Sequence, residues 1–133
     1  MNAVHPNLSL LERLLDLIPN DLANAKTLLT DDFVWHYFNP ELSDLAGDYP
    51  GVDGLQTFFQ KLGALTSNTF RVKVKQAIPI GDELVVVHAH PMMALEGQSF
   101  ETDAVVIWRV VDNRIMEAWD IPAIYTMRPQ TQP

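Results

Sequence analysis

The spacing of hydrophobic residues changes along the chain, from a helical period in the first half to a two-residue alternation in the second. Near the N-terminus, apolar residues recur every three or four positions from Leu11 to Ile18 and stop at Pro19. Ser9 and Glu12 have the spacing of a capping box at the start of this pattern. The first segment is therefore predicted to form a short amphipathic helix.

Two further helices are predicted before the strands dominate. Asp21 is a suitable N-cap for a second helix, which ends at the polar break Thr30–Asp32. A strand from 33 to 38 follows, and then a loop from Asn39 to Gly54, rich in Asp, Gly and Pro, which could serve as a lid. Asp53 could cap the third helix. The apolar faces are Leu22, Ala25, Leu28 and Leu29 in the second helix, and Leu55, Phe58, Phe59 and Leu62 in the third.

The second half of the chain reads as strands joined by hairpins. Phe70, Val72 and Val74 alternate with basic residues, which predicts one buried and one solvated face. Turn dipeptides follow at 81–82, 96–97 and 112–113. Helices placed before a largely antiparallel sheet hide their apolar sides on one face of it, so an α+β domain is expected, with the curled sheet enclosing a cone.

The last strand carries a carboxylate beside an aromatic residue. Strict alternation places Met116, Ala118 and Asp120 on one face of this strand. A carboxylate among apolar neighbours is costly to bury, so Asp120 lies either at a rim or in a cavity that uses it. The opposite face takes Ile115, Glu117, Trp119 and Ile121.

Composition narrows the class of protein. A chain of 133 residues with 47% hydrophobic residues can form one domain, expected over 1–133 with a core of about 8–125 and a loose tail from Met127 to Pro133. A net charge of −8 with only 9 Lys and Arg argues against nucleic-acid and acidic-membrane partners. There is no cysteine, no signal sequence and no apolar run long enough for a membrane span. A cytoplasmic protein is expected.

Three stretches of sequence carry a family resemblance. They are WHYFNPELSDLAGDYPGVDGLQTFF from Trp35, VVVHAH from Val85 and RIMEAWDIP from Arg114. In this order, with turns between them, they resemble the SnoaL-like branch of the nuclear transport factor 2-like superfamily, over about residues 8–125. The resemblance implies a cone-shaped α+β barrel that binds an apolar small molecule and works without a cofactor. It also implies a homodimer formed sheet to sheet, with Trp119 in the covered face.

Enzymes of this superfamily match the chain only in part. Where ketosteroid isomerases have their general base, this chain has Asn39, and where they have a second acid it has Val106. An amide cannot take a proton from carbon at ordinary pH, so the resemblance does not extend to that mechanism. Limonene epoxide hydrolases hold a water with a Tyr-x-Asn pair and a final-strand Asp, which here correspond to Tyr37, Asn39 and Asp120.

The histidines are the candidate partners for Asp120. His88 and His90 occupy the positions of the Arg-x-Asp pair of the epoxide hydrolases. Many SnoaL-like proteins have a His directly before the Trp-Asp pair, and this chain has Ala118 there. His88 and His90 share one face of a strand. If that face is the cavity face, Asp120 could orient one imidazole for proton transfer, which gives Asp120, His88 and His90 as catalytic residues. Alternatively, the pair fills a polar patch in a wall or a dimer contact.

The same three side chains are also ligand types of some iron and zinc sites. The His-x-His spacing is weakly specific, however, and we predict no metal.

Five residues are predicted to bind the substrate. Trp35, Tyr37 and Asn39 share a face of the first strand, and equally could be ordinary core. His36, on the other face, is interpreted as structural. Two function classes stay open: an acid–base enzyme of cyclase, isomerase or hydrolase type acting on a small apolar carbonyl compound, and a non-catalytic carrier. The predicted substrate-binding residues are Trp35, Tyr37, Asn39, Met92 and Phe59.

Overall fold

The protein consists of helices packed against one face of a curved, mixed sheet. A computed structural model describes residues 4–129, with the exception of the Arg128 side chain. This architecture confirms the predicted α+β cone. No helix within the described range is long and apolar enough to cross a membrane. The helices are α1 (Pro6–Leu17), α2 (Leu22–Ala25), a 3-10 turn (Lys26–Leu28) and α3 (Gly51–Thr66).

The sheet contains eight strands in the order β2-β1-β7-β6-β4-β5-β8, with β3 paired to β4. All pairs are antiparallel except β1 with β7, which is parallel. The strands are β1 (Leu29–Tyr37), β2 (Gly47–Pro50), β3 (Arg71–Ile80), β4 (Leu84–Leu95), β5 (Gln98–Glu101), β6 (Ala104–Val111), β7 (Arg114–Pro122) and β8 (Arg128–Pro129).

The first helix begins earlier than its capping-box pattern predicted. Pro6 occupies the first turn, and the His5 ring accepts a hydrogen bond from the backbone N–H of Asn7 at 3.1 Å. Proline suits this position because its fixed φ matches a helix and its missing N–H is not needed there. The predicted cap Ser9 therefore lies inside α1. The helix ends at Ile18, which is extended before Pro19 as a residue preceding proline prefers to be.

The second helix is shorter than predicted. Asp21 does cap α2, accepting a hydrogen bond from the N–H of Asn24 at 3.3 Å. Leu29, expected on the helix, instead begins β1 and pairs with Ile115. The polar residues 30–32, expected as a break, are part of this strand.

The predicted loop 39–54 contains regular structure. Strand β2 occupies part of it, with Tyr49 paired to Trp35. Helix α3 then starts at Gly51, so Asp53 lies in its first turn and does not cap it. The segment free to act as a lid is therefore shorter than the sequence suggested. At the other end of the chain, β8 pairs with β5, so residues 128–129 of the predicted loose tail form a strand, while 130–133 lie outside the described residues.

A register shift in the last hairpin decides which side chains enter the cone. The turn residues Asp112 and Asn113 both have positive φ, 52° and 61°, as a two-residue hairpin turn of this hand requires. Arg109 pairs with Glu117, but the next residue, Val110, pairs with Ile115. Met116 is thus an extra residue in β7, and Ile115 is fully buried on the face predicted to exclude it.

The interpretation of β3 as a half-buried strand is wrong. Val72 and Val74 are 53% and 46% exposed. Strand β3 pairs with β4 alone among the described strands, so it lies at an edge of the sheet. The apolar core lies between the helices and the inner face of the central strands. Its fully buried large side chains include Leu14, Phe33, Leu55, Val85 and Ile115.

The start of α3 depends on a close approach at Gly54. A Cβ atom at Gly54 would lie 2.5 Å from the carbonyl carbon of Tyr49, whereas one at Gly63 would meet only the movable side chain of Asn68. We expect Gly54→Ala to lower the free energy of unfolding by about 1–3 kcal/mol through this backbone clash. The matched variant Gly63→Ala should be neutral or stabilising by up to about 1 kcal/mol. Urea unfolding of both variants measures this, and equal stabilities would contradict the steric argument.

Candidate functional site

Asp120 projects from β7 toward the inner face of the sheet. Its Cα pairs with Tyr37 of β1 on one side and with Val106 of β6 on the other. The neighbour below it on the same face is Ala118, which is completely buried. The backbone is fixed as well, because the Asp120 carbonyl accepts a hydrogen bond from the Phe38 N–H at 3.0 Å. Asp120 is therefore held on a rigid part of the sheet.

The carboxyl group of Asp120 lacks a compensating partner. Within residues 4–129, no side chain forms a hydrogen bond or ion pair with it. Its surroundings are apolar on the Val106 and Ala118 sides. Burial disfavours the charged form, and it raises the pKa of Asp120 from its ordinary value of 3.8 to about 7. At neutral pH the group is therefore present in both protonation states.

Tyr37 and Asn39 form a second polar group beside Asp120. The amide of Asn39 donates to the Tyr37 hydroxyl oxygen at 3.1 Å, and its own oxygen accepts from the Glu41 N–H at 3.1 Å. Both ends of the Asn39 amide are thus engaged. Burial, outweighing the hydrogen bond from Asn39, raises the pKa of Tyr37 to about 12, and the Asp120 charge adds to this. Tyr37 is accordingly a neutral hydrogen-bond donor.

An aromatic cluster forms the floor beneath this polar group. The Phe58 ring of α3 lies at its centre, 5.0 Å from the ring of Tyr37 and 5.5 Å from that of Trp35. Trp108 contacts Trp35 from the other side at 5.5 Å. The indole N–H of Trp35 is buried and has no hydrogen-bond acceptor among the described residues. Two polar groups with unmet hydrogen-bonding capacity, Asp120 and Trp35, therefore lie on the inner face.

His88 and His90 do not join Asp120. Val87 of β4 pairs with Val106 of β6, and Val106 pairs with Asp120, so Val87 lies on the inner face. Because side chains alternate along β4, His88 and His90 point to the outer face. There the Nε2 of His88 lies 2.8 Å from Asp103 Oδ1, and the Nδ1 of His90 lies 3.3 Å from the same oxygen. The condition for a His–Asp120 pair, that the histidine face is the cavity face, is not met. Asp103 is exposed, and its Oδ1 is shared by the two imidazoles.

The remaining predicted binding residues divide between the two faces. Met92 follows His90 on the outer side of β4, whereas its neighbour Met93 is buried. Phe59 is half-buried on α3, with its ring 5.3 Å from that of Phe58. Trp35 and Tyr37 share a face of β1, as predicted, and both belong to the hydrophobic core.

His36 organises the outer face. Its Nδ1 lies 2.6 Å from Asp48 and its Nε2 lies 2.7 Å from Glu117. The ring stacks on Trp119 at 5.6 Å, and Arg109 lies 5.3 Å from the centre of the Trp119 ring. Burial lowers the pKa of His36, but the two carboxylates outweigh this and the pKa is raised overall. The structural interpretation of His36 is consistent with these contacts.

Two concavities lie at the rim of the cone. One, of about 400 Å³, is bounded by Tyr37, Asn39 and the segment 46–48. The other, of about 370 Å³, is bounded by Phe38, Pro40 and the segment 121–126. Asp120 lines neither of them.

Sequence reasoning missed two participants in this region. Phe58 was expected to face inward, but its central place in the aromatic cluster was not predicted. Tyr49, whose hydroxyl donates to the Leu45 carbonyl, lies in a segment without hydrophobic periodicity. No local pattern could have identified it.

The three side chains of metal-ligand type, Asp120, His88 and His90, are not brought together. Asp120 lies on the opposite side of the sheet from His88 and His90. Within residues 4–129, no group of three or more His, Asp or Glu side chains is arranged to hold a metal ion.

Comparison with known families agrees with the sequence resemblance. The model of the SnoaL-like domain family matches residues 12–118, so the chain belongs to this family. No curated protein matches the chain.

Solved structures show the same fold at low sequence identity. Bal32a from a soil-derived mobile gene cassette is 17% identical with a TM-score of 0.79, over 92% of this chain and 93% of that one. TerC, crystallised with polyporic acid, is 19% identical with a TM-score of 0.77, over 90% and 93%. A nuclear transport factor 2-like protein of unknown function from Burkholderia pseudomallei is 21% identical with a TM-score of 0.76, over 88% and 90%.

The raised pKa of Asp120 predicts a pH-dependent stability. Between pH 3.8 and about 7 the unfolded chain releases a proton that the folded protein retains, so stability falls as pH rises through this range and is then constant. We expect Asp120→Asn to remove this pH-dependent loss and to raise the free energy of unfolding at pH 8 by up to about 4 kcal/mol, with little effect near pH 4.

Asp103→Asn is the matched control, because Asp103 is exposed on the other face and its pKa is lowered by hydrogen bonds from His88 and His90. Denaturant unfolding at the two pH values measures both variants. A gain at pH 8 in Asp103→Asn as large as that in Asp120→Asn would contradict the assignment.

Proposed function

We propose that the protein binds a small apolar, carbonyl-containing molecule at the inner face of the cone and transfers a proton to or from it through Asp120. The reaction class is cofactor-independent acid–base chemistry of cyclase, isomerase or hydrolase type. One observation carries the proposal: a carboxyl group on the inner face, without a side-chain partner among residues 4–129, whose pKa is raised to about 7. Such a group serves as acid in one protonation state and as base in the other.

The surrounding donors indicate what the substrate would present. Tyr37 keeps its hydroxyl proton and receives a hydrogen bond from Asn39, so its O–H is free to donate elsewhere. The Trp35 N–H is a second buried donor. A carbonyl oxygen accepts hydrogen bonds from such donors, and the aromatic cluster offers an apolar surface for the rest of the molecule. Asn39 acts by positioning Tyr37, to whose hydroxyl oxygen its amide donates.

The proposal leaves His88, His90 and Met92 out of the reaction, because they lie on the opposite face. Proton transfer would then rest on Asp120 alone. The crystallisation of TerC with polyporic acid supports binding of a small organic molecule within this fold. The cytoplasmic location expected from the sequence stays a prediction.

A non-catalytic carrier is the second candidate function. It is favoured by the packing of the cone interior, where the rings of Trp35, Phe58 and Trp108 fill the floor. The two concavities at the rim would then hold the ligand, away from Asp120.

We also propose a homodimer through the outer sheet face. Val105 and Ile121 are neighbouring residues on this face and are 40% and 45% exposed. Ile78 on β3 adds further exposed apolar surface on the same side. Trp119 is less available than the sequence suggested, because His36 and Arg109 of the same chain cover its ring. The contact would therefore centre on Val105 and Ile121.

A binding screen followed by turnover assays distinguishes an enzyme from a non-catalytic carrier. Small apolar ketones, lactones and epoxides are tested for a rise in melting temperature, since a ligand of the folded state must stabilise it. For compounds that bind, we expect Asp120→Asn to lower turnover by roughly 10²–10⁴-fold while affinity changes little. Asp103→Asn makes the same chemical change on the outer face and should leave turnover intact.

A wild-type protein that binds these compounds without converting any of them would favour the carrier. Full turnover in Asp120→Asn would show that Asp120 is not the proton-transfer group.

The dimer is tested by sedimentation velocity at micromolar concentration. Ile121→Asp would place a charge in each half of a two-fold contact, and we expect it to shift the protein from dimer to monomer. Leu65→Asp is the control, because Leu65 is 41% exposed on α3, away from the outer sheet face. A wild-type monomer at this concentration would refute the proposed contact.

A further inference from the structure

Strand β3 has an unpaired backbone edge. It pairs with β4 from Arg71↔Met92 to Ile80↔Leu84, and with no other described strand. Its first six residues, Arg71–Gln76, are all exposed, while Ala77 and Pro79 further along are half-buried. The alternate N–H and C=O groups on the free side of Arg71–Gln76 can accept an added strand.

The exposed side chains of this segment form two rows. Val72 and Val74 are opposite Pro91 and Ala89 and so lie on the inner side, although they are exposed. Arg71 and Lys73 lie on the other side. Lys75 falls at a register shift between Val74 and Gln76. An added strand would therefore meet apolar side chains on one face and cations on the other.

The cations of this edge have no ion-pair partner in the part of the chain that the structure describes. Arg71, Lys73 and Lys75 form no ion pair with any residue in 4–129. They are three of the nine Lys and Arg residues in a chain of net charge −8. A local concentration of positive charge on an acidic protein selects for an acidic partner at this position.

We propose that the edge Arg71–Gln76 binds an extended acidic peptide segment as an additional strand of the sheet. Backbone hydrogen bonds supply affinity that is independent of sequence, and alternate side chains supply specificity. The partner would place apolar side chains over Val72 and Val74 and carboxylates beside Arg71 and Lys73. This interaction is separate from the proposed small-molecule site, because β3 contributes no residue to it.

A second copy of the same edge is a poor occupant. Antiparallel self-pairing centred on Lys73 would place Lys73 opposite itself and Arg71 opposite Lys75. Like charges directly opposite each other destabilise a strand pair. The same three cations that discourage self-association therefore favour an acidic strand.

The proposal is tested with fluorescein-labelled peptides of seven alternating residues, measured by anisotropy at low salt. The Val/Glu peptide should bind at least about tenfold more tightly than the Val/Lys peptide. The double variant Lys73→Glu, Lys75→Glu should reverse this preference. Lys26→Glu makes one such charge reversal on an exposed residue of the 3-10 turn and should leave the preference unchanged.

Strand addition is separated from simple charge attraction by the peptide backbone. N-methylation of alternate residues removes the donors on one edge of the Val/Glu peptide, and loss of two or more such hydrogen bonds should weaken binding to the wild-type protein by roughly tenfold or more. Methylation of the other set of residues should have a smaller effect. Equal binding of all three peptides, or no binding of the Val/Glu peptide, would overturn the proposal.

Discussion

The register of β7 determines which side chains lie on each face of the sheet. This strand lies at the centre of the fold, parallel to β1 on one side and antiparallel to β6 on the other. Because side chains alternate in a strand, its register fixes which residues of all three strands enter the cone. The extra residue Met116 shifts the alternation once, so that Ile115, Ala118 and Asp120 all face inward. Without this bulge, strict alternation would place either Ile115 or Asp120 on the outer face.

The register of β7 separates the ionisable groups of the outer face from the carboxyl group of Asp120 on the inner face. His36, His88 and His90 lie on the outer face, each beside at least one carboxylate, and Arg109 contacts Glu117 at 3.5 Å. A protonated His36 can donate from both ring nitrogens, which is what its two carboxylate neighbours require. No such compensation reaches Asp120 through the sheet. Its pKa is therefore set by desolvation, whereas the pKa of His36 reflects a competition between burial and two charges.

The sequence was sufficient for those features that follow from local periodicity. It predicted three helices, the hairpin turns and the α+β class, and it placed Trp35 with Tyr37, and Ala118 with Asp120, on shared strand faces. Features that depend on pairing between strands distant in sequence could not be predicted from local periodicity. The position of β3 at an edge leaves Val72 exposed despite an ideal alternating pattern, and the shared contact of His88 and His90 with Asp103 needs the return of the chain through β5. The Met116 bulge has no marker in the sequence, since an alternating strand and a bulged one can have the same composition.

The inner face keeps polar groups that a purely structural core would replace. The cost of an unpartnered buried donor or carboxyl group is on the order of 1–3 kcal/mol, and an apolar residue of similar shape would avoid it. Here both Asp120 and the Trp35 N–H lie on one face of adjacent strands, above and within an otherwise aromatic floor. On the outer face, by contrast, the imidazoles have partners. Unmet hydrogen-bonding capacity is concentrated on the inner face, and this asymmetry is the physical basis of our proposal that a small molecule binds there.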